Sequence, residues 1–293
     1  MDTLESLAKR IDTTNSLQAI VRTMKALSAA SIAQYDRAAA SMSQYMRTIE
    51  MGLTVVLADG DALPREPRSP HAGAVMAILF GSDHSLCGSF NEIVVRVACA
   101  EQHEAPSRQP WHWLAVGARA AHSLEIAGHT IGECIDLPGT SSGLIETSHR
   151  ILLTIDGWRT RHGITDVLLF HNRRREVSAT PHRVQLLPLD RKWLNELARR
   201  PWSSRTIPMF TMDTAELFSA LAREHLFANI FRSGAESLAS EHATRLAAMQ
   251  AALRNIEEHL EDMTAEYRRK RQDAITSELL DIVAGYETLR NES

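Results

Sequence analysis

One segment of the sequence has the residue types of a hydrolytic site, the pentapeptide Gly139–Gly143 (GTSSG). It matches the G-x-S-x-G turn, which presents a serine nucleophile between a strand and a helix. A hydrolase would use Ser141 as the nucleophile, with a carboxylate and an imidazole later in the chain to orient and deprotonate it. The available partners are Asp166, Asp190, His171 and His182. The simpler alternative, which a turn of this composition favours, is a Pro-Gly turn followed by Ser141 or Ser142 as the N-cap of a helix.

A second candidate nucleophile is Cys87, in the segment Ser82–Gly88 (SDHSLCG) between a predicted strand and a predicted helix. A thiolate near a helix N-terminus can be reactive, and His84 is the nearest base. Three residues of separation within a turn rarely give a thiol and an imidazole the right geometry, so a buried structural thiol is favoured. The three cysteines have no C-x-x-C spacing and indicate reduced thiols, without a disulfide framework or a zinc site.

Other kinds of catalytic or cofactor site are not visible. The sequence has no G-x-x-x-x-G-K-[ST] phosphate loop, and its 13 histidines form no H-E-x-x-H motif or ligand-spaced cluster. The net charge of −4 argues against nonspecific binding of nucleic acid, which depends on positive charge. We therefore expect no catalytic residue, no cofactor, no metal ion and no nucleic-acid partner.

The sequence also gives no sign of direct membrane insertion. No run approaches 18 apolar residues, and the N-terminus lacks a basic start followed by an apolar stretch. Any association with a membrane is therefore expected to come through a partner.

Both ends of the chain carry long apolar stripes. From Leu17 to Val56, apolar or small residues recur at alternating steps of four and three, and the same spacing returns between Leu246 and Tyr267. This heptad pattern predicts a coiled coil of two antiparallel terminal helices. The expected core residues are Val21, Tyr35, Met42, Ile49, Leu246, Leu253, Leu260 and Met263. The alternative is two separate amphipathic helices that lie on the middle domain.

One register of that coiled coil brings the two stripes together. It pairs Ile49 with Leu246, Met42 with Leu253, Tyr35 with Leu260, and Ser28 with Tyr267. The C-terminal stripe is interrupted at Arg268–Asp273 (RRKRQD) and resumes one position shifted at Ile275, which changes the local winding of a coiled coil. The basic run within it is interpreted as a solvated face, as a nucleic-acid contact, or as a polar surface presented to a surrounding protein.

The middle of the chain alternates short apolar runs with helical stretches, which predicts an α/β domain with a mainly parallel sheet. The predicted strands are Ala74–Phe80, Trp113–Val116, Thr130–Leu137, Val167–Phe170 and Val184–Leu187. The predicted helices are Phe90–Ala100, Ala118–Ala127 and Leu144–Arg161. Proline-rich breaks at Asp59–Gly73 and Arg200–Pro208 delimit three domains: an N-terminal coiled-coil helix at 1–58, a central globular domain at 74–200 and a C-terminal coiled-coil helix at 211–293.

Four segments carry a resemblance to the gamma subunit of the F-type ATP synthase. They are Leu238–Met249 (LASEHATRLAAM), Arg271–Gly285 (RQDAITSELLDIVAG), Ser82–Asn91 (SDHSLCGSFN) and Leu7–Ala30 with its Met24-Lys25 pair. Ser85 stands where that family usually has glycine, and Arg268 stands where asparagine is typical. These departures suggest a divergent bacterial branch.

The resemblance implies a coiled-coil shaft and a Rossmann-like domain that work as a rotor without chemistry of their own. It implies that the shaft turns inside a ring of alpha and beta subunits, and that it couples ion flow to ATP synthesis or hydrolysis there. The globular part is expected to bind the epsilon subunit and the membrane c-ring, at the cytoplasmic face of the bacterial inner membrane. The alternatives are a sodium-coupled rotor of the same architecture, a free-standing helical scaffold, and the GTSSG hydrolase.

The family motifs also imply which residues meet the partners. By motif position, the contacts between shaft and hexamer are Met24, Lys25, Arg271, Gln272, Thr276 and Glu278. Arg245, in the matched segment of the C-terminal helix, is expected to support the shaft.

Overall fold

The computed structural model describes residues 3–58, 73–105, 109–175, 178–202, 206 and 208–291. Over these residues the helices are α1 (Leu4–Ala58), α2 (Phe90–Glu104), α3 (Ala118–Ile126), α4 (Gly143–His162), α5 (Arg191–Arg199) and α6 (Thr214–Asn291). The strands are β1 (Ala74–Phe80), β2 (Trp111–Val116), β3 (Ile131–Ile135), β4 (Ile164–Arg175) and β5 (Ser178–Leu187). Except for Gly73, the predicted linker Asp59–Gly73 lies outside the described residues.

The five strands form one sheet in the order β3-β2-β1-β4-β5. β1 pairs in parallel with both β2 and β4, whereas β5 returns antiparallel to β4. The prediction of an α/β fold with a mainly parallel sheet is therefore confirmed, together with the long terminal helices. Every residue of β1 is buried, as expected of a central strand that is covered on both faces.

Alternate residues of β1 enter two different cores. Met76, Ile78 and Phe80 pack on one face with α4 and α6, through residues such as Trp158 and Ile230. Val75, Ala77 and Leu79 pack on the other face with the apolar sides of α2 and α3. The period of two along a strand thus builds both layers from a single apolar run.

The part of the chain after β4 contains the elements that the pattern predicted poorly. β4 and β5 form a hairpin that extends well beyond the predicted strands, to Arg175 and Ser178. α5 was not predicted at all, although Asp190 caps it by accepting a hydrogen bond from the backbone amide of Lys192 at 2.8 Å. Its buried Leu194 and Leu197 pack in a cluster with Leu53 of α1.

The chain divides into two compact units, and α1 and α6 contribute to both. In the unit of residues 28–245, Tyr45 of α1 donates a hydrogen bond to Glu224, and Tyr35 stacks on His242 with ring centroids 5.8 Å apart. Ascending positions on α1 thus meet descending positions on α6, so the two helices are antiparallel. Tyr35 also packs with Phe231 and other apolar residues of α6.

The unit of residues 1–27 and 246–293 has its own apolar cluster. Val21 packs with Met249, Leu253 and Ile256, and Gln18 hydrogen-bonds Glu257. The expected register is therefore wrong, because it paired Leu253 with Met42 and Leu260 with Tyr35. Heptad spacing defines which face of a helix is apolar, but it repeats every two turns and leaves sliding by whole heptads undetermined.

The residues named as the coiled-coil core differ in burial. Val21, Tyr35, Ile49 and Leu253 are buried, and Met42, Leu246, Leu260 and Met263 are partly buried. α6 is one continuous helix through Gly234 and through the basic run Arg268–Arg271. In the described part of the chain, no helix has the length and apolarity needed to cross a bilayer.

Candidate functional site

The serine pentapeptide forms a helix start and not a nucleophile elbow. Ser141 Oγ accepts a hydrogen bond from the Gln34 amide at 3.0 Å. Ser142 precedes α4, but its side chain makes no capping bond, and the backbone amide of Gly143 donates instead to Thr140 Oγ1 at 3.3 Å. The expected turn is present and Ser142 holds the N-cap position, but Thr140 supplies the side-chain acceptor in its place.

Each residue named as a triad partner has other contacts, and the ring of His182 lies against that of His171 with centroids 5.4 Å apart. His171 is buried and its Nε2 lies 3.1 Å from a Glu236 carboxylate oxygen, while Asp190 caps α5. Asp166 accepts a hydrogen bond from the neighbouring Thr165 hydroxyl at 2.7 Å. The Ser141 hydroxyl pairs with Gln34 and with none of these groups, so the hydrolase interpretation is wrong.

Cys87 is a buried structural thiol. Its sulfur lies 3.5 Å from Ser82 Oγ, and its contact with His84 at 3.7 Å is to the backbone carbonyl and not to the imidazole. Burial raises the pKa of the Cys87 thiol, which opposes formation of a nucleophilic thiolate. Neither candidate nucleophile is therefore set up for catalysis, and the described residues contain no metal-binding group of His, Cys, Asp and Glu.

The loop that carries Cys87 is fastened at several points to the ends of the strands. One carboxylate oxygen of Asp83 accepts from the backbone amide of Ala118, and the other accepts from that of Leu137, both at 2.8 Å. The Asn91 side chain accepts from the amide of Ser82 and donates to its hydroxyl, each at 2.9 Å. The family motif in this loop is thus a set of backbone anchors.

Leu86 has the strained backbone in this loop, with φ of 68° and 53% of its surface exposed. Among the described residues it is the non-glycine position with positive φ. Ser85, which replaces the usual glycine of the resembled family, therefore does not adopt the left-handed conformation. The substitution leaves the turn intact because the strain lies at the next residue.

Arg245 joins α6 to this same loop. Its Nη2 donates to Glu241 Oε1 at 2.6 Å and reaches the backbone carbonyl oxygens of His84 and Ser85 at 3.4 and 3.5 Å. Both side chains are buried, so their mutual contact offsets only part of the lost hydration. This geometry gives Arg245 a bridging position between the long helix and the sheet domain.

The residues predicted to meet partner subunits lie on one unit and are accessible. Met24 is partly buried beside the Val21 cluster, and Lys25 is partly exposed next to it. On α6 the side chains of Arg271, Gln272, Thr276 and Glu278 are exposed. Thr276 Oγ1 donates to the backbone carbonyl of Gln272 at 2.9 Å, which fixes its hydroxyl along the helix.

A set of exposed apolar residues lies beside these polar ones, although the sequence pattern placed Ile275 in a resumed coiled-coil stripe. They are Ile275, Leu279, Leu280, Ile282 and Val283 on α6. The register shift after Arg268–Arg271 was the available signal, because apolar residues that leave the coiled-coil seam must face something else. Large apolar side chains grouped on a surface commonly mark a contact with another protein.

The sequence is similar to known proteins over most of its length. Residues 3–289 match the sequence profile of the family described as ATP synthase. The ATP synthase gamma chain of Nitratiruptor sp. is 28% identical over 226 residues, which cover 75% of this chain and 74% of that protein. The gamma chain of Chlorobaculum parvum is 29% identical over 234 residues, which cover 78% and 76%.

Solved structures share the fold. A chain from the Euglena gracilis mitochondrial ATP synthase, in a structure of its OSCP, F1 and c-ring parts, aligns with a TM-score of 0.65 at 16% identity. That alignment covers 98% of this chain and 94% of the other. A chain from the central stalk and c-ring of the Tetrahymena thermophila enzyme aligns with a TM-score of 0.56 at 18% identity, over 80% and 99%. Since the family match spans nearly the whole sequence, this chain belongs to the ATP synthase family, in which the similar curated proteins are gamma chains.

Proposed function

We propose that this chain is the central-stalk rotor subunit of an ATP synthase and couples ion flow through a membrane sector to ATP synthesis or hydrolysis. The observation that supports this most directly is the match of residues 3–289 to the family, joined to the antiparallel packing of α1 on α6. The chain transmits rotation and performs no bond chemistry. Nucleotide binding and hydrolysis belong to the alpha and beta subunits of the surrounding hexamer.

The contacts with that hexamer are made by the polar side chains near the ends of α1 and α6. Lys25, Arg271 and Glu278 offer charges of both signs, and Gln272 and Thr276 offer hydrogen bonds. Exposed ion pairs are individually worth about 0–1 kcal/mol, so these contacts bias the states of the ring without locking any one of them. An asymmetric rotor shifts a conformational equilibrium in the ring because its interaction energy differs between the states.

The exposed apolar residues of α6 supply the second part of this interface. Leu279 is 59% exposed and Ile282 is 68% exposed. Burial of a large aliphatic side chain contributes about 1.5–3 kcal/mol, and this contribution has no directional requirement. We therefore expect an apolar surface of the hexamer to enclose the end of α6 without fixing its rotational position.

The sheet domain is the part that contacts the epsilon subunit and the c-ring. Through them the chain is held peripherally at the cytoplasmic face of a bacterial inner membrane. Solved relatives come from the rotor of the Euglena enzyme and from the central stalk and c-ring of the Tetrahymena enzyme, which supports this placement. The coupling ion, proton or sodium, is set by ligands in the membrane subunits.

Co-purification tests the proposal. The tagged chain, expressed with its cognate alpha and beta subunits, is expected to elute in a stoichiometric complex with ATPase activity. The chain alone is expected to be inactive, and Ser141→Ala in the complex is expected to leave the activity unchanged. Failure to assemble, or turnover of ATP by the chain alone, would overturn the proposal.

A further inference from the structure

Glu241 is a carboxylate in an environment that poorly supports its charge. Only 4% of its surface is exposed, and its Oε2 is buried without a hydrogen-bond partner. Burial raises the pKa of Glu241 to about 7, although Arg245 opposes that rise through its charge and its hydrogen bond. A second negative charge, that of Asp83, acts in the same direction as burial.

Titratable or charged groups from α6, from the loop before α2 and from α1 lie near Glu241. Arg245 and His242 lie on α6, Asp83 and Cys87 lie in the loop before α2, and Tyr35 lies on α1. Burial lowers the pKa of His242 to about 4, and burial followed by the Glu241 charge raises the pKa of Tyr35. Burial also raises the pKa of Cys87. These three groups are therefore neutral near pH 7, and Glu241 is the member of the cluster that changes charge there.

The contact between α6 and the loop Ser82–Gly88 runs through Arg245, the ion-pair partner of Glu241. Arg245 uses the same Nη2 nitrogen for Glu241 and for the carbonyl oxygens of His84 and Ser85. The bond to the carboxylate is short, at 2.6 Å, whereas the two bonds to the loop are long. The position of the guanidinium therefore depends mainly on the carboxylate, because charge-assisted hydrogen bonds are about twice as strong as neutral ones.

We propose that Glu241 is a proton-operated latch, whose ionised form holds Arg245 against the loop Ser82–Gly88 and whose protonated form loosens that loop from α6. Protonation removes the negative charge and leaves a buried guanidinium without its counter-charge. Arg245 then regains hydration of its guanidinium by turning toward solvent. The carbonyl oxygens of His84 and Ser85 lose their hydrogen-bond donor as a result. The attachment of the loop to the long helix thus tightens above neutral pH and weakens below it.

Hydrogen exchange of the full chain tests the latch. The reporters are the backbone amides of Ala118 and Leu137, whose acceptor is Asp83 of the loop. After correction for the intrinsic exchange rate, their protection is expected to fall about tenfold between about pH 8 and pH 6. Glu241→Gln is expected to make protection independent of pH, and Glu258→Gln, at an exposed position of the same helix, is expected to behave as wild type.

Two outcomes would overturn the proposal. One is wild-type protection that stays constant over this range, and the other is a pH dependence that survives in Glu241→Gln. If Glu241→Gln does not fold, carbon-13 titration of the Glu241 carboxyl in the wild-type chain tests the latch instead. A midpoint near 7 supports the latch, and a midpoint below about 5, the ordinary range of a glutamate, excludes it.

Discussion

Gly234 lies where α6 crosses the end of β1, and its missing side chain makes that approach possible. A Cβ atom added there would lie 2.9 Å from Leu144 Cδ1 and 3.1 Å from Phe80 Cε1. Both neighbours are fully buried, so neither can move aside into solvent. Gly234→Ala is therefore expected to strain the contact between α6, α4 and the sheet.

The expected change in the free energy of unfolding is the difference between two opposing contributions. Overpacking of a buried contact costs about 1–3 kcal/mol, and alanine in place of glycine within a helix gains about 0.5–1 kcal/mol. Gly234→Ala is then expected to lower the free energy of unfolding by about 1 kcal/mol. The matched control is Gly157→Ala in α4, where the nearest atom is Nη2 at the end of the exposed Arg161 side chain, at 3.3 Å. That change is expected to raise the free energy of unfolding by about 0.5–1 kcal/mol.

Equilibrium unfolding in urea, followed by tryptophan fluorescence, measures both variants under the same conditions. The expected difference between them is about 2 kcal/mol, which is the cost of overpacking alone. Equal stability of the two variants would refute the reasoning, because helix propensity is common to both and only the packing at Gly234 differs.

Three further predictions concern the shaft and the buried charge. Lys25→Glu is expected to reduce ion pumping per ATP hydrolysed in the assembled complex, while its free energy of unfolding changes by less than about 0.5 kcal/mol. The control is Lys9→Glu. Equal pumping in the two variants would count against a contact between Lys25 and the hexamer. Leu253→Ala is expected to destabilise the terminal helix pair by about 2–5 kcal/mol in thermal unfolding. Leu17→Ala is expected to cost far less, because Leu17 is 48% exposed. Comparable losses would contradict the observed register. Glu241 has a folded pKa of about 7 against an ordinary value of 4.5, so its contribution to stability is present below about pH 4.5 and is lost as the pH rises to about 7. Relative to Glu241→Gln, the wild-type chain is expected to lose about 3 kcal/mol over that range in urea unfolding, and parallel pH profiles would exclude the raised pKa.

The sequence predicts best those parts of the fold in which the spacing of apolar residues fits only one type of secondary structure. β1 was predicted with its bounds because a seven-residue apolar run between turn residues fits only a strand buried on both faces. The terminal helices were equally clear because their apolar stripes persist over many turns. α5 was missed because a nine-residue helix before Pro201 looks like a polar break, and its two buried leucines carry too little periodicity to reveal it.

The candidate site was less predictable because its residues act through distant partners. The family motif pointed to Arg245, but only the fold places it against the carbonyl oxygens of His84 and Ser85. The hydrolase interpretation of the serine pentapeptide is wrong for the same reason, because local spacing cannot show that His171 contacts Glu236. The chemistry of a side chain can be read from a sequence, whereas the residues that it contacts depend on tertiary packing.

The two-sided role of Asp83 restricts which residues this position can accept. Its two oxygen atoms each receive a backbone N–H, one at the start of α3 and one just beyond β3. Asparagine has the same shape, but its amide nitrogen would point a hydrogen at one of those N–H groups and leave that donor unsatisfied. Glutamate keeps both acceptors and is one methylene too long for the same reach. Neither replacement thus reproduces both contacts, and aspartate is the side chain that links the start of α3 to the residues just after β3.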